Sequence, residues 1–163
     1  MTVASYRRQA ETDLSHTEDP TFKRLIEFEL EAIDSGVIRG MGWGSSGPSC
    51  AAAVIGLSVY PTASTLEEAV AARLADQEAH GPPHKVESTT PVTLAVGPAM
   101  RILLTTDLSS VLPGSVPTQA ILYIVLAPDR RVVTLSGTAP TMDTDFGAMV
   151  EEVARSLAFE LPK

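Results

Sequence analysis

The chain has 163 residues, one domain's length, with 44% hydrophobic and 20% charged residues. Its formal net charge of −8, from 12 basic and 20 acidic residues, works against nucleic acid, and a single cysteine, Cys50, excludes an internal disulfide. No window reaches the roughly 18 apolar residues of a membrane span, and no apolar run follows Arg7 and Arg8. Neither membrane insertion nor a signal peptide is therefore expected, and the expected location is cytoplasmic.

Residues 1–20 are polar and end at Pro20, so they read as an N-terminal arm, either loose or a short helix. Residues 21–163 read as a single domain, because no repeat or low-complexity segment divides them. The segment Ile26-Glu27-Phe28-Glu29-Leu30-Glu31 alternates strictly, which predicts a half-buried strand. Phe22, Ile26, Glu29 and Ile33 also lie at helical spacings, so a helix stays open. As a strand, the segment lines Glu27, Glu29 and Glu31 along its outer face. Such a row would suit a basic protein partner or protect a sheet edge.

Gly42-Trp43-Gly44-Ser45-Ser46-Gly47 has the spacing of a dinucleotide-binding turn. That turn needs a helix opening at the third glycine, yet Pro48 follows and Ala51–Tyr60 is an apolar, strand-like run. The glycines from Gly40 to Gly47 therefore predict a flexible loop between strands, not a nucleotide site. Trp43 either anchors that loop to the core edge or offers a contact to a partner. Cys50 opens the apolar run beside alanines, which predicts a buried, inert thiol rather than a nucleophile served by His16, His80 or His84.

Pro61 is expected to stop that strand. Thr65-Leu66-Glu67-Glu68 is a capping box, and Leu66, Val70 and Leu74 form an apolar stripe, which predicts a helix over 65–79. His80 and His84 have the H-x-x-x-H spacing of a helical metal pair. Two intervening prolines forbid that helix, and neither Glu78 nor Glu87 supplies a third ligand at a characteristic spacing, so no metal is expected. Strands follow at Val92–Val96, Met100–Thr106, Ala120–Leu126 and Arg131–Ser136. Gly97-Pro98 separates the first two and Ala127-Pro128-Asp129-Arg130 the last two, so both pairs should be antiparallel hairpins. Phe146, Met149, Val150, Val153 and Leu157 predict a second helix over 145–158, with Asp143 and Asp145 at its positive end. The class is α+β, with helices on a mostly antiparallel sheet.

From about residue 51 the pattern resembles the PsbP-like superfamily, which includes Ran-binding Mog-type proteins, LpqN-type lipoproteins and bacterial secretion-associated chaperones. The resemblance lies in VIGLSVYPTASTLEEAVAARL, VTLAVGPAMRILLTT, ILYIVLAPDRRVVTLSGTAP and DFGAMVEEVARSLAFE. The N-terminal third departs from the pattern, with Trp43 in a glycine-rich segment and no lipobox cysteine near Met1. The resemblance implies an α/β/α sandwich and a non-enzymatic, protein-binding role without a cofactor. Three functions are thus expected in order. The first is a protein-binding adaptor or chaperone, with secretion-associated chaperones among its models. The second is an acidic immunity-type inhibitor of a basic toxin, using the Glu27, Glu29 and Glu31 face. The third is a small-ligand carrier or enzyme built on Gly40–Gly47, with Cys50 and His84. A homo-oligomer is compatible with each.

Overall fold

In a computed structural model, the described residues are 3–18, 20–35, 38–45, 52–80, 83–107, 116–141 and 145–159. Two helices come first, α1 (Val3–His16) and α2 (Pro20–Asp34), followed by β1 (Ile38–Ser45) and β2 (Ala52–Thr62). Then come α3 (Leu66–His80), β3 (His84–Leu94), β4 (Gly97–Thr106), β5 (Thr118–Leu126), β6 (Arg131–Pro140) and α4 (Phe146–Arg155). The six strands form one sheet in the order β1-β2-β6-β5-β4-β3, and every neighbouring pair is antiparallel. The α+β class is therefore correct.

Period-2 alternation in β5 places the two cores. Ile121, Tyr123 and Val125 join Phe146, Val150 and Ala154 of α4 on one face. Leu122 and Ile124 join Ala69 and Val70 of α3 on the other. The central strands are thus covered on both faces, one helix to each. Of the expected core positions, Val70, Phe146 and Val150 are buried, while Leu66, Leu74, Val153 and Leu157 pack half-buried at the margins.

Residues 26–31 are helical, which corrects the expected strand. Pro20 sits at the first position of α2, where its missing N–H costs nothing, and Glu, Leu and Ala favour the helix that follows. Residues two apart on a helix are turned by about 200°. Glu27, Glu29 and Glu31 therefore cannot form one row. Residues 3–16 are helical rather than a loose arm, and Tyr6 and Ala10 are buried. Helices α1 and α2 pack on each other and both meet β1. Arg7 of α1 bonds Asp34 of α2 at 2.8 Å.

The expected flexible loop at the glycines is also corrected. Gly40, Gly42 and Gly44 lie in β1 and pair with Leu57, Ile55 and Ala53 of β2. Two further boundaries differ from expectation, the end of β2, expected at Pro61, and the start of β3, which is His84 and not Val92. Strand β2 passes through Pro61 at a ladder irregularity between Tyr60 and Thr62, and β3 passes through Pro91 because it is an edge strand. The β3–β4 reversal falls at Ala95-Val96, with Gly97 at φ 122 as the first residue of β4. The β5–β6 hairpin turns over Ala127–Arg130 as expected. Arg130 N–H donates to Ala127 O at 2.8 Å, and Arg130 itself takes φ 65. Among the described residues no helix is long and apolar enough to cross a membrane.

Candidate functional site

The end of β2 and the start of α3 meet over β6 and enclose a cavity of about 260 Å³. Local bonds hold this junction. Glu68 N–H donates to Thr65 Oγ1 at 3.1 Å, and Glu68 Oε2 accepts from Ser64 N–H at 2.7 Å, so the capping box forms nearly as read. Ala63 N–H donates to Arg130 O at 3.1 Å, while Arg130 Nε donates to Ala63 O at 3.3 Å. The β5–β6 turn thereby clamps the chain just before α3.

The cavity wall is apolar where Pro61, Ala63, Ala69, Ala72 and Val132 line it. Its polar side is a fixed guanidinium. Arg73 lies 5.1 Å above the centre of the Tyr60 ring, a stacked cation–π arrangement. Arg73 Nη1 donates to Asp76 Oδ2 at 2.7 Å and Nη2 to Gln77 Oε1 at 3.2 Å. The Arg73 side chain is only 15% exposed. Its Nε is buried and has no hydrogen-bond partner among the described residues. Leaving a buried donor unpaired costs about 1–3 kcal/mol. Burial pushes the Tyr60 phenol above its ordinary pKa, and the Arg73 charge opposes that shift. The phenol therefore stays neutral at pH 7.

A second, more open recess of about 490 Å³ lies where β3 begins and β4 ends, beside His84, Lys85, Thr105 and Asp107. Next to it, Glu87 accepts from Lys85 Nζ at 2.9 Å and from Thr105 Oγ1 at 2.7 Å, and these bonds hold its carboxyl below the usual range.

The residues singled out from sequence do not converge. Glu27 and Glu31 are exposed one turn apart on α2, and Glu29 lies on the same helix. Trp43 lies in β1 and pairs with Val54 of β2. His80 ends α3 and His84 opens β3, so the two are split between elements. His16 ends α1, where Nδ1 contacts Thr12 O at 2.7 Å. Cys50, Gly47, Pro48 and Asp143 lie outside the described residues. Asp145 is the N-cap residue of α4, in keeping with its helix-start role. Among the described residues no group of three or more His, Cys, Asp or Glu could hold a metal ion.

The sequence alone does not group Tyr60 with Arg73 and Asp76. Part of the signal was present, because Arg73, Asp76 and Gln77 stand at i, i+3 and i+4 on a helix already recognised. What brings Tyr60 to them is the β2–α3 junction, which is tertiary.

No protein-family profile and no curated protein sequence matches the chain. Its fold is similar to the crystal structure of PA94 from Pseudomonas aeruginosa, a protein of unknown function described as a candidate regulator. The TM-score is 0.61 at 11% identity, over 76% of this chain and 83% of that one. Identity that low establishes a shared fold and nothing finer.

Proposed function

We propose that this chain is a non-enzymatic protein-binding module, an adaptor or chaperone of PsbP-like type. The observation that carries the reading is the chemistry of the Tyr60–Arg73 cavity. Its walls are apolar and its Arg73 cation is already matched by Asp76 at 2.7 Å. Such a recess suits a neutral, apolar group of the kind that anchors protein interfaces. The carboxylates that carry perturbed pKa values, Glu87 and Asp129, brace a strand and a turn. The candidate-regulator description of PA94 is compatible with a binding role, and a PsbP-like fold would be too. Purification from cells that produce the chain, followed by native mass spectrometry, tests the reading. A stoichiometric protein partner that rebinds after separation is the expected result. A stoichiometric metal or small-molecule adduct in its place would overturn it.

A second reading draws on a different surface. Glu27, Glu31 and Asp34 fall at i, i+4 and i+7 on α2 and are exposed, with Asp34 already paired to Arg7 and the two glutamates carrying the stripe. That stripe favours an acidic inhibitor of a basic protein. Replacing Glu27 and Glu31 by glutamine would then slow association and flatten its salt dependence. An unchanged salt slope removes this reading.

A further inference from the structure

We propose that the Tyr60–Arg73 cavity receives one uncharged apolar side chain from a protein partner, with an adjoining peptide carbonyl of that partner accepting from Arg73. The inference rests on the protein-binding reading above and names the chemistry of its contact. Three properties select this occupant. The first is size. The cavity of about 260 Å³ falls below the roughly 300–1,000 Å³ of drug-sized ligand and cofactor sites. It exceeds the ~150 Å³ in which an apolar cavity holds a benzene ring. An aromatic or branched aliphatic side chain lies between those limits.

The second property is charge. Asp76 compensates Arg73 at 2.7 Å, and Glu68 adds another carboxylate to the lining. That net negative lining repels a carboxylate or phosphate ligand, whereas it does not repel a neutral group. The third is unused hydrogen-bonding capacity. Nη1 and Nη2 of Arg73 give one N–H each to Asp76 and Gln77 and each keep a second, while Nε is buried out of a ligand's reach. Guanidinium groups have no acceptor capacity, so the complementary group is an oxygen acceptor. A peptide carbonyl supplies one without adding charge.

The test uses the whole chain, labelled with ¹⁵N, and N-acetyl-phenylalanine amide as the probe. Saturable shifts of the Tyr60, Ala69, Ala72 and Arg73 amides are expected. Ala72 lines the cavity yet is exposed, so Ala72→Leu extends into the recess without entering the core. This variant should keep its melting transition and lose the shifts. Arg73→Lys keeps the charge opposite Asp76 but lacks the fork, and should bind about three- to tenfold more weakly, the worth of one hydrogen bond. N-acetyl-phenylalanine with a free carboxylate should bind less well than the amide. The proposal is overturned by an absence of saturable shifts at these residues, by equal shifts in a folded Ala72→Leu variant, or by tighter binding of the free acid. This titration needs no partner. Its failure would therefore leave the protein-binding reading to be decided by the native mass spectrometry alone.

Discussion

The packing of α4 on β6 is open to a single-atom test at Gly137. An added Cβ there would overlap Val150 Cγ2, and would stand 3.0 Å from Phe146 Cζ and 3.1 Å from Val150 Cγ1. Carbon atoms pack best at about 3.5–4.0 Å, so even the longer contacts are short by about half an ångström. Neither neighbour can yield easily. Val150 is 0% exposed and Phe146 is 1% exposed, and a β-branched side chain on a helix has one strongly favoured rotamer. Gly137→Ala must therefore shift α4 away from the sheet. Overpacking of this kind costs about 1–3 kcal/mol. Replacing glycine in a strand returns about 0.5–1 kcal/mol through chain entropy. The clash wins, and a net loss of about 1–2 kcal/mol is expected, with a fall in Tm of about 2–8 °C for a domain of this size.

Urea unfolding followed by circular dichroism measures the loss. A second background isolates its cause. Val150→Ala alone removes buried methyls and should cost about 2 kcal/mol. Combined with Gly137→Ala, it vacates the space that the new methyl needs. The double variant should then be more stable than the two single losses sum to, by more than about 0.5 kcal/mol. A Gly137→Ala protein as stable as the parent would show that α4 does not sit on β6 at this point. Strict additivity in the double variant would place the cost elsewhere than at Val150.

At the start of α3, Thr65→Ala removes the acceptor of the Glu68 N–H, and thermal melts should show a loss of about 0.5–2 kcal/mol. Asp129 accepts from the Arg131 backbone N–H at 3.2 Å and from Arg131 Nε at 2.6 Å, bonds that lower its pKa. A lowered carboxyl contributes stability above its unfolded value of about 4 and loses it as pH falls through the folded value. The stability gap between the parent and Asp129→Asn should be open at pH 7 and close in acid. A gap independent of pH would remove the charge from the explanation. For Tyr60 the sign reverses. Burial raises its pKa, so its contribution is complete below about 10 and is lost as pH rises through the raised value. Alkaline unfolding curves should show Tyr60→Phe losing less stability than the parent above pH ~10.

The legible parts of this fold are those where a local rule had no rival. Thr65 and Glu68 can satisfy helix-start donors in only one arrangement, and α3 begins there. Ala127–Arg130 carries turn chemistry between two β-branched runs, and β5 and β6 pair across it. The misread parts are those where two rules competed. Residues 26–31 alternate like a strand for only six positions, inside a longer segment whose Pro20 start and glutamates favour a helix. Glycines at 40, 42 and 44 have poor strand propensity, but pairing with the β-branched and apolar residues of β2 overrides it. Pro91 marks a strand break only if the strand is central, and the edge position of β3 is a property of the finished sheet. The same edge carries Lys85, Pro91 and a register shift between Val86 and Ser88, three features that discourage pairing with another chain.

The cavity was hidden for a related reason, and that reason bears on what it can do. Its residues come from β2, α3 and β6, so no single window contains it. Its frame, by contrast, is made of short-range bonds and one clamp. Ser64, Thr65 and Glu68 lock the first turn of α3, and Arg130 exchanges two bonds with Ala63. Asp76 and Gln77 hold the Arg73 fork from the same helix. All of these bonds lie within the chain, so the fold itself sets the walls. A preformed recess spares its ligand the ordering cost that a collapsing site imposes. It follows that loosening the frame should weaken probe binding even where no wall atom changes. Arg130→Ala removes the side-chain half of the clamp and reaches the cavity only through Ala63. In the amide titration it should lower affinity while leaving the pattern of shifted residues the same. A changed pattern at equal affinity would mean that the walls are not held by the clamp.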